Sequence, residues 1–323
     1  MKITVQYSSL LLLIAFFICI GLFTRLGDVS LGQIFDSLNS SDDSTINVVI
    51  WSIRAPRVAV SLFVGASLGL SGALIQLSTR STLGDPNIFG IGGGATIFLA
   101  SVFAGVVTVG ELGVFIGCIV SSVLIAVLLA VLVSSKDLSS IKLALMGIAV
   151  AAFTLAIGIS IISYGRVFPT QVIGLVSGTF TRSNWQIFSY LFITFTLCIG
   201  ITVIIARNFY PVMLGDVLAR SIGVEAVRLR FIAMVLAGIL AGSSVYAGGL
   251  INFVGLISPH LTRRLSGNNP MLLLTGSALI GSLITIFSDQ IVRLIFMPVE
   301  IPAGMTTTII GAPLMILLSM KIK

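Results

Sequence analysis

The sequence predicts an all-α, polytopic membrane protein with about ten transmembrane helices. Of its 323 residues, 57% are hydrophobic and only 9% are Asp, Glu, Lys or Arg, whereas soluble domains carry roughly 25% charged residues. Long apolar runs alternate with short polar or Gly/Pro-rich stretches, as expected where the backbone leaves the hydrocarbon. This composition excludes an ordinary soluble enzyme, a disordered chain and a repeat scaffold.

Ten segments are candidates for crossing a bilayer, which takes about 20 apolar residues. They cover about residues 5–24, 56–78, 88–108, 112–134, 142–163, 186–206, 229–247, 250–266, 271–296 and 303–320. The first follows Lys2 and lacks a small-residue cleavage site, so we expect it to be retained. The eighth is short and contains Gly and Pro. Together the segments predict one transmembrane domain over 1–323, with halves of about 1–180 and 186–323.

The distribution of basic residues predicts the orientation. With the N-terminus in the cytoplasm, twelve of the 18 Lys and Arg residues fall on the inner side, and most of the 11 acidic residues fall outside. The net charge of +7 therefore reflects membrane topology, and no nucleic-acid partner is expected. An even number of crossings places both termini inside.

Two parts of the sequence resemble each other and predict an inverted repeat. Residues 65–75 resemble 237–245 in their Gly, Ala and Ser pattern, and an Asn-led segment with an inner glycine follows each, at 87–91 and 252–256. In the predicted topology the two copies run in opposite directions, as in many transporters. A chance likeness between glycine-rich helices is the alternative.

The sequence offers no catalytic constellation. His260 is the only histidine, the three cysteines lie far apart in apolar runs, and no lysine follows a glycine as in a phosphate-binding loop. We therefore expect no catalytic residue, no metal site and no cofactor bound by this chain. If ATP drives the protein, another subunit must hydrolyse it.

Glycines and one carboxylate stand out within the apolar segments. The 33 glycines favour close helix packing, or breaks at 90–94 and 248–249 that let segments change angle. Asp289 is the only acid well inside an apolar run, and Arg293 lies one helical turn away, so a structural pair is expected. An ion-coupled carrier usually keeps an intramembrane carboxylate, and the scarcity of such groups argues against that class.

The polar segment 207–228 is expected to lie in the cytoplasm and to contain a short helix within 214–224. Asp216 and Arg220 stand four residues apart with signs that suit the helix dipole, and Gly223 is a suitable C-cap. Such a helix either lies at the membrane interface or docks onto a partner. The residues favour neither interpretation.

Several motifs carry a resemblance to a known family. They are Arg54-Ala55-Pro56-Arg57, residues 72–91 with Gln76, Pro86 and Gly90, residues 214–224, residues 249–263 with Gly255, Pro259 and His260, Glu300-Ile301-Pro302-Ala303-Gly304, and Gly311-Ala312-Pro313. In these motifs the chain resembles a FecCD/BtuC-type permease, the membrane subunit of ABC importers for ferric siderophores, haem and vitamin B12. It departs from the family pattern at residues 81–84, where Ser-Thr-Leu-Gly replaces the usual Asn-Pro-Leu-Ala.

The resemblance implies a ten-helix BtuC-like fold and a set of partners in the bacterial cytoplasmic (inner) membrane. These are a second permease copy or paralogue, ABC ATPase subunits, and a periplasmic or lipid-anchored substrate-binding protein. The expected cargo is a ferric siderophore, the commonest in the family, with haem or cobalamin as alternatives. A secondary carrier driven by an ion gradient and a purely structural membrane protein are the competing classes.

The resemblance also implies roles for individual residues. The segment 207–228 would act as the coupling segment and dock onto the ATPase subunit. Its docking residues would be Leu214, Gly215, Asp216, Ala219, Arg220, Ile222, Gly223 and Val224. Acidic residues of the binding protein would meet Arg54, Arg57 and Arg293. The translocation path would run along the fifth and tenth helices, past Thr154, Ser160, Thr306, Thr307 and Thr308. The motif residues Gln76, Pro86, Gly90, Gly255, Pro259 and His260 would serve gating or structure.

Overall fold

The computed structural model describes residues 2–23, 45–135, 140–165, 167–296 and 301–319, and these residues contain helices and no strand. Ten long helices correspond to the ten predicted segments. In chain order they are α1 Lys2–Phe23, α2 Ala55–Thr79, α3 Ile91–Phe103, α4 Glu111–Ser135, α5 Ser140–Tyr164, α6 Trp185–Ala206, α7 Ala226–Gly248, α8 Val254–Ser266, α9 Pro270–Ile295 and α10 Ala303–Ser319. Glu300, which belongs to the predicted motif at 300–304, lies outside the described residues.

Shorter helices connect the long ones. Thr45–Val48 leads into the π-helical turn Val49–Arg54 before α2, and Pro169–Ser177 precedes α6. Phe209–Leu214 and Asp216–Ser221 lie between α6 and α7. The short helix predicted within 214–224 is therefore confirmed.

Seven of the ten long helices are long and apolar enough to span a membrane, and α3, α8 and α10 are shorter. Helix α8 contains a proline, Pro259, in its interior. A helix shorter than the bilayer is tolerated when its ends are buried in protein. The start of α8 meets this condition, because residues 254–259 are all buried.

Helix α2 lies at the centre of the bundle, and most of its residues are buried. It packs most extensively against α9 and also contacts α7, α8 and α6. Glycines permit the close approach: a Cβ atom at Gly65 would overlap the carbonyl of Gly281, and one at Gly69 would overlap that of Ser277. In lipid, such backbone proximity replaces the hydrophobic effect as the source of helix association.

The packing repeats between the two halves of the chain. The α2–α9 contact has its counterpart in α7–α4, where Gly238 and Gly242 of α7 meet the backbone of α4. The α8–α9 contact likewise has its counterpart in α3–α4. Arg80, just after the end of α2, and Arg230, near the start of α7, share one carboxylate, so the two equivalent helices run in opposite directions. These contacts support the predicted inverted repeat.

Helices α3 and α8 also begin alike. The residue before each helix has left-handed backbone, Gly90 with φ of 74° and Phe253 with φ of 69°. The Asn-led segments predicted to be equivalent are also joined, because Asn87 Nδ2 donates to the carbonyl of Ile251 at 2.8 Å. The breaks before these two helices are thus packed against one another.

Candidate functional site

The coupling segment, residues 207–228, is anchored to the bundle at a few points and otherwise exposed. Phe209, Val212 and Ala219 are fully buried. Gly223, with φ of 85°, ends the helix Asp216–Ser221, and the N–H groups of Gly223 and Val224 donate to the carbonyls of Arg220 and Ala219. This is the Schellman pattern of a glycine-capped helix. The predicted C-cap at Gly223 is therefore found.

An ion cluster fixes the start of this helix. Asp216 Oδ1 accepts from Arg80 Nη2 at 2.6 Å and from Arg230 Nη2 at 2.7 Å. Arg80 Nη2 also donates to the carbonyl of Val212 at 2.5 Å. Asp216 and Arg220 occupy the first and last turns of this helix, as the sequence predicted from the helix dipole, but both ionic partners of Asp216 come from outside the segment. We call Arg80, Asp216 and Arg230 the clamp.

The coupling segment exposes several large apolar side chains among its charged and polar ones. Leu214, Val217, Leu218 and Ile222 are 73%, 84%, 51% and 66% exposed. Leu214 ends the helix Phe209–Leu214, Val217 and Leu218 belong to the helix Asp216–Ser221, and Ile222 caps that helix. A groove of about 710 Å³ lies beside them, lined by Arg220, Glu225, Ala226, Val227, Arg228, Phe231 and Val131 of α4.

The loop between α2 and α3 joins several of the motif residues. Gln76 donates to the carbonyl of Gly84 at 3.2 Å and accepts from Arg263 Nη1 of α8 at 2.6 Å. Gly255 lies against Pro86 and against the Asp85 carboxylate. A Cβ atom at Gly72 of α2 would overlap the carbonyl of Gly255. The structure thus brings Gln76, Pro86 and Gly255 together at the α2–α8 contact.

Asp85 is a fully buried carboxylate in this loop that sequence reasoning missed. Its Oδ1 accepts from the N–H groups of Asn87 at 2.8 Å and Ile88 at 3.1 Å. Burial raises the pKa of Asp85 to about 6, because desolvation outweighs the backbone N–H groups of Ile88, Asn87, Leu256 and Gly255 that favour the charged form. The only sequence signal was an acid between Gly84 and Pro86.

The remaining motif residues lie on neighbouring helices. Gly90 precedes α3, and a Cβ there would crowd the backbone of Ala151 in α5. Pro259 is buried within α8. His260 follows it, and its Nε2 is buried without a hydrogen-bond partner among the described residues.

The three arginines expected to meet a binding protein converge near the end of α1. Arg54 Nη1 donates to the carbonyl of Leu22 at 3.2 Å, and Arg293 Nη1 to that of Gly21 at 3.5 Å. Arg57 donates through Nε and Nη2 to Asp289, with Nη2 at 2.8 Å from Oδ1. The expected Asp289–Arg293 pair is therefore wrong: Asp289, which is 1% exposed, pairs with Arg57 of α2.

Four of the five predicted path hydroxyls bond to their own helices. Thr154 and Ser160 of α5 donate to the carbonyls of Ala151 and Ala156. Thr307 and Thr308 of α10 both donate to the carbonyl of Gly304. Thr154 and Thr307 are 2% exposed, Thr306 is half-buried and Ser160 is exposed.

A cavity of about 400 Å³ lies beside α5. It is lined by Asn87, Ile88, Gly93, Ile148, Ala151, Ala152, Thr154, Leu155, Val176, Leu250 and Asn252. Asn87 and Asn252, from the breaks before α3 and α8, are the polar residues that sequence reasoning had not assigned to a path. Their pairing in the internal repeat was the available signal.

Comparison with known proteins agrees with this architecture. The FecCD transport family matches residues 11–321. The chain is 32% identical over 319 residues to the Fe(3+)-citrate import system permease protein YfmD of Bacillus subtilis, covering 96% of this chain and 93% of that protein. It is 29% identical over 309 residues to the vitamin B12 import system permease protein BtuC of Vibrio cholerae, covering 93% and 92%.

A solved structure has the same fold. It is an inward-facing conformation of a metal-chelate type ABC transporter, which matches with a TM-score of 0.81 and 29% identity over 97% of this chain and 98% of that one. The family match and this likeness both cover nearly the whole chain. The chain therefore belongs to the FecCD transport family and is a multi-pass membrane permease.

Proposed function

We propose that this chain is the permease subunit of an ATP-driven importer for a ferric siderophore in the bacterial cytoplasmic membrane. A binding protein delivers the chelate from outside, and separate ATPase subunits act from inside. Iron chelates appear in the names of YfmD and of the Iron(3+)-hydroxamate import system permease protein FhuG of Bacillus subtilis, which is 31% identical over 328 residues. The likeness to BtuC keeps cobalamin, with haem, as the second candidate cargo.

The main support for this proposal is the group of exposed apolar residues in the coupling segment. Leu214, Val217 and Ile222 are each at least 66% exposed and lie beside the charged clamp. Exposed apolar patches with polar rims mark interaction sites. A protein partner that covers these side chains removes their apolar surface from water. In this proposal the partner is the ATPase subunit. Movement of the ATPase then pushes on the segment.

Transport in this proposal needs a pathway that does not hold the cargo. Four of the five path hydroxyls are already bonded to the backbone of their own helices, so the pathway offers a bulky chelate few polar partners. Helix α5 is only 22% buried, with Leu145, Ile148 and Phe153 exposed. A second permease copy covers this face, and the path lies between the two copies.

The experiment uses the positive φ angles of the coupling segment. Gly215 has φ of 133° and Gly223 has φ of 85°, with open space around both. Gly215→Val or Gly223→Val therefore introduces backbone strain and no clash. We expect uptake of ferric citrate or a ferric hydroxamate to be lost, while membrane insertion and the amount of protein stay unchanged.

The matched control is Gly267→Val, because Gly267 has φ of 71°, also lies in open space, and follows α8 outside the coupling segment. This variant should keep its uptake. Unchanged uptake in both coupling-segment variants would refute the role of the segment. Uptake that persists without ATP but follows a proton gradient would favour the secondary carrier.

A further inference from the structure

The clamp joins the coupling segment to two helices of the bundle through one carboxylate. Asp216 belongs to the segment, Arg80 follows the last residue of α2, and Arg230 lies in the first turns of α7. Helices α2 and α7 are the equivalent central helices of the internal repeat. We infer that Asp216, held by Arg80 and Arg230, is the joint through which motion of the coupling segment reaches both halves of the permease. This inference rests on the proposed function.

The backbone at Arg80 supports a specific role. Arg80 has left-handed backbone with φ of 52°, and among the described residues only Phe253 shares this feature outside glycine. A non-glycine residue in this region is strained, and it persists only when its surroundings hold it there. Here the left-handed turn ends α2 and directs the guanidinium to Asp216 Oδ1 and the Val212 carbonyl.

The clamp is too exposed to serve mainly as a source of stability. The side chains of Arg80 and Asp216 are 42% and 41% exposed, and that of Arg230 is 16% exposed. Exposed ion pairs contribute little to folding. Without the carboxylate, however, the two guanidinium groups face each other and repel, so the segment loses its attachment. Its removal should therefore affect force transmission more than folding.

A displacement at the clamp has a rigid route into the bundle. Helix α2 is the most buried of the described spans. Its Gly72 abuts the backbone of Gly255 in α8, and its Gln76 bonds to Arg263 in α8. Helix α7, the other helix joined by the clamp, contacts α4 through Gly238 and Gly242. Tight backbone contacts of this kind transmit a shift because neither side can yield.

The first test measures ferric citrate transport and ATP hydrolysis together in proteoliposomes that hold the complete importer. In Asp216→Asn, Arg80→Gln and Arg230→Gln we expect the amount transported per ATP to fall by about tenfold, within the usual range of coupling between sites. ATP hydrolysis should stay near that of the wild type in Arg80→Gln and Arg230→Gln, and the unfolding temperature should stay near that of the wild type in all three variants. Asp216→Glu should restore much of the coupling, and the control Arg264→Gln, an exposed arginine at the end of α8, should behave as wild type.

The second test restores the joint covalently. In the double variant Arg80→Cys/Asp216→Cys, with exposed Cys19 replaced by Ser and Cys118 and Cys198 left buried, transport should be low. A short bifunctional thiol reagent that links the two new cysteines should raise it, and reduction of a cleavable link should lower it again. Failure of a verified link to raise transport would overturn the inference, as would normal coupling in all three single-site variants. If the wild type itself shows no ATP-dependent transport, the proposed function fails instead.

Discussion

At the scale of residues, the buried ion pair Arg57–Asp289 is a specific source of stability. Arg57→Ala leaves a carboxylate that is 1% exposed without this partner, which costs about 3–5 kcal/mol for pairs of this kind. We expect a large fall in the thermal unfolding temperature of the purified protein. The double variant Arg57→Ala/Asp289→Ala should recover part of it, because no charge is left behind.

Arg207→Ala is the control, since Arg207 is an exposed arginine at the end of α6. If Arg57→Ala left stability intact but weakened docking of the binding protein, the motif-based role of Arg57 would outweigh its role in the pair. Equal losses in the single and double variants would contradict the importance of the unpaired charge.

The second prediction at this scale concerns Asp85, whose pKa rises to about 6 in the folded protein from its usual value of 3.8. A raised carboxyl pKa means that ionisation opposes folding, so the penalty is present above pH 6 and is lost as the pH falls toward 4. Asp85→Asn should therefore raise the unfolding temperature at pH 7.5. The difference from the wild type should shrink at pH 5, and a difference that is constant with pH would contradict this account.

At the scale of elements, the glycine contacts between helices determine which helices pack together. Gly65→Leu would drive a side chain into the carbonyl of Gly281 and the Thr285 hydroxyl, so we expect the α2–α9 contact to fail and folded protein to be lost. Gly200→Leu in α6 is the control, because nothing lies within 4 Å of its position. Gel-filtration profiles and unfolding temperatures in detergent measure both, and equal behaviour would contradict the packing argument.

The helices themselves were predictable because the bilayer dictates the length of an apolar run. The eighth segment, 250–266, was correctly included although it is short, but the sequence placed its start four residues before Val254. The partners of charged residues were not predictable. Asp289 was matched with Arg293 one turn away, whereas its partner Arg57 lies 232 residues distant in sequence, and Arg80, a partner of Asp216, lies 136 residues from it. Local spacing carries no information about such contacts.

At the scale of the whole molecule, helix α6 separates the loop after Gly178 from the coupling segment, so one crossing by α6 places the two on opposite sides of the membrane. Val217→Cys, 84% exposed in the segment, should react with a membrane-impermeant thiol reagent only from the inside. Thr181→Cys, exposed before α6, should react only from the outside. The exposed Cys19 is replaced by Ser in both variants. Labelling of both positions from the same side would contradict the topology.

The most direct measurement is radioactive iron uptake by proteoliposomes that contain this chain with its ATPase and binding-protein partners. We predict accumulation of ferric citrate or a ferric hydroxamate that requires ATP on the ATPase side, requires the binding protein on the other side, and persists when the proton gradient is collapsed. Accumulation that needs no ATP and disappears with the gradient would contradict the account.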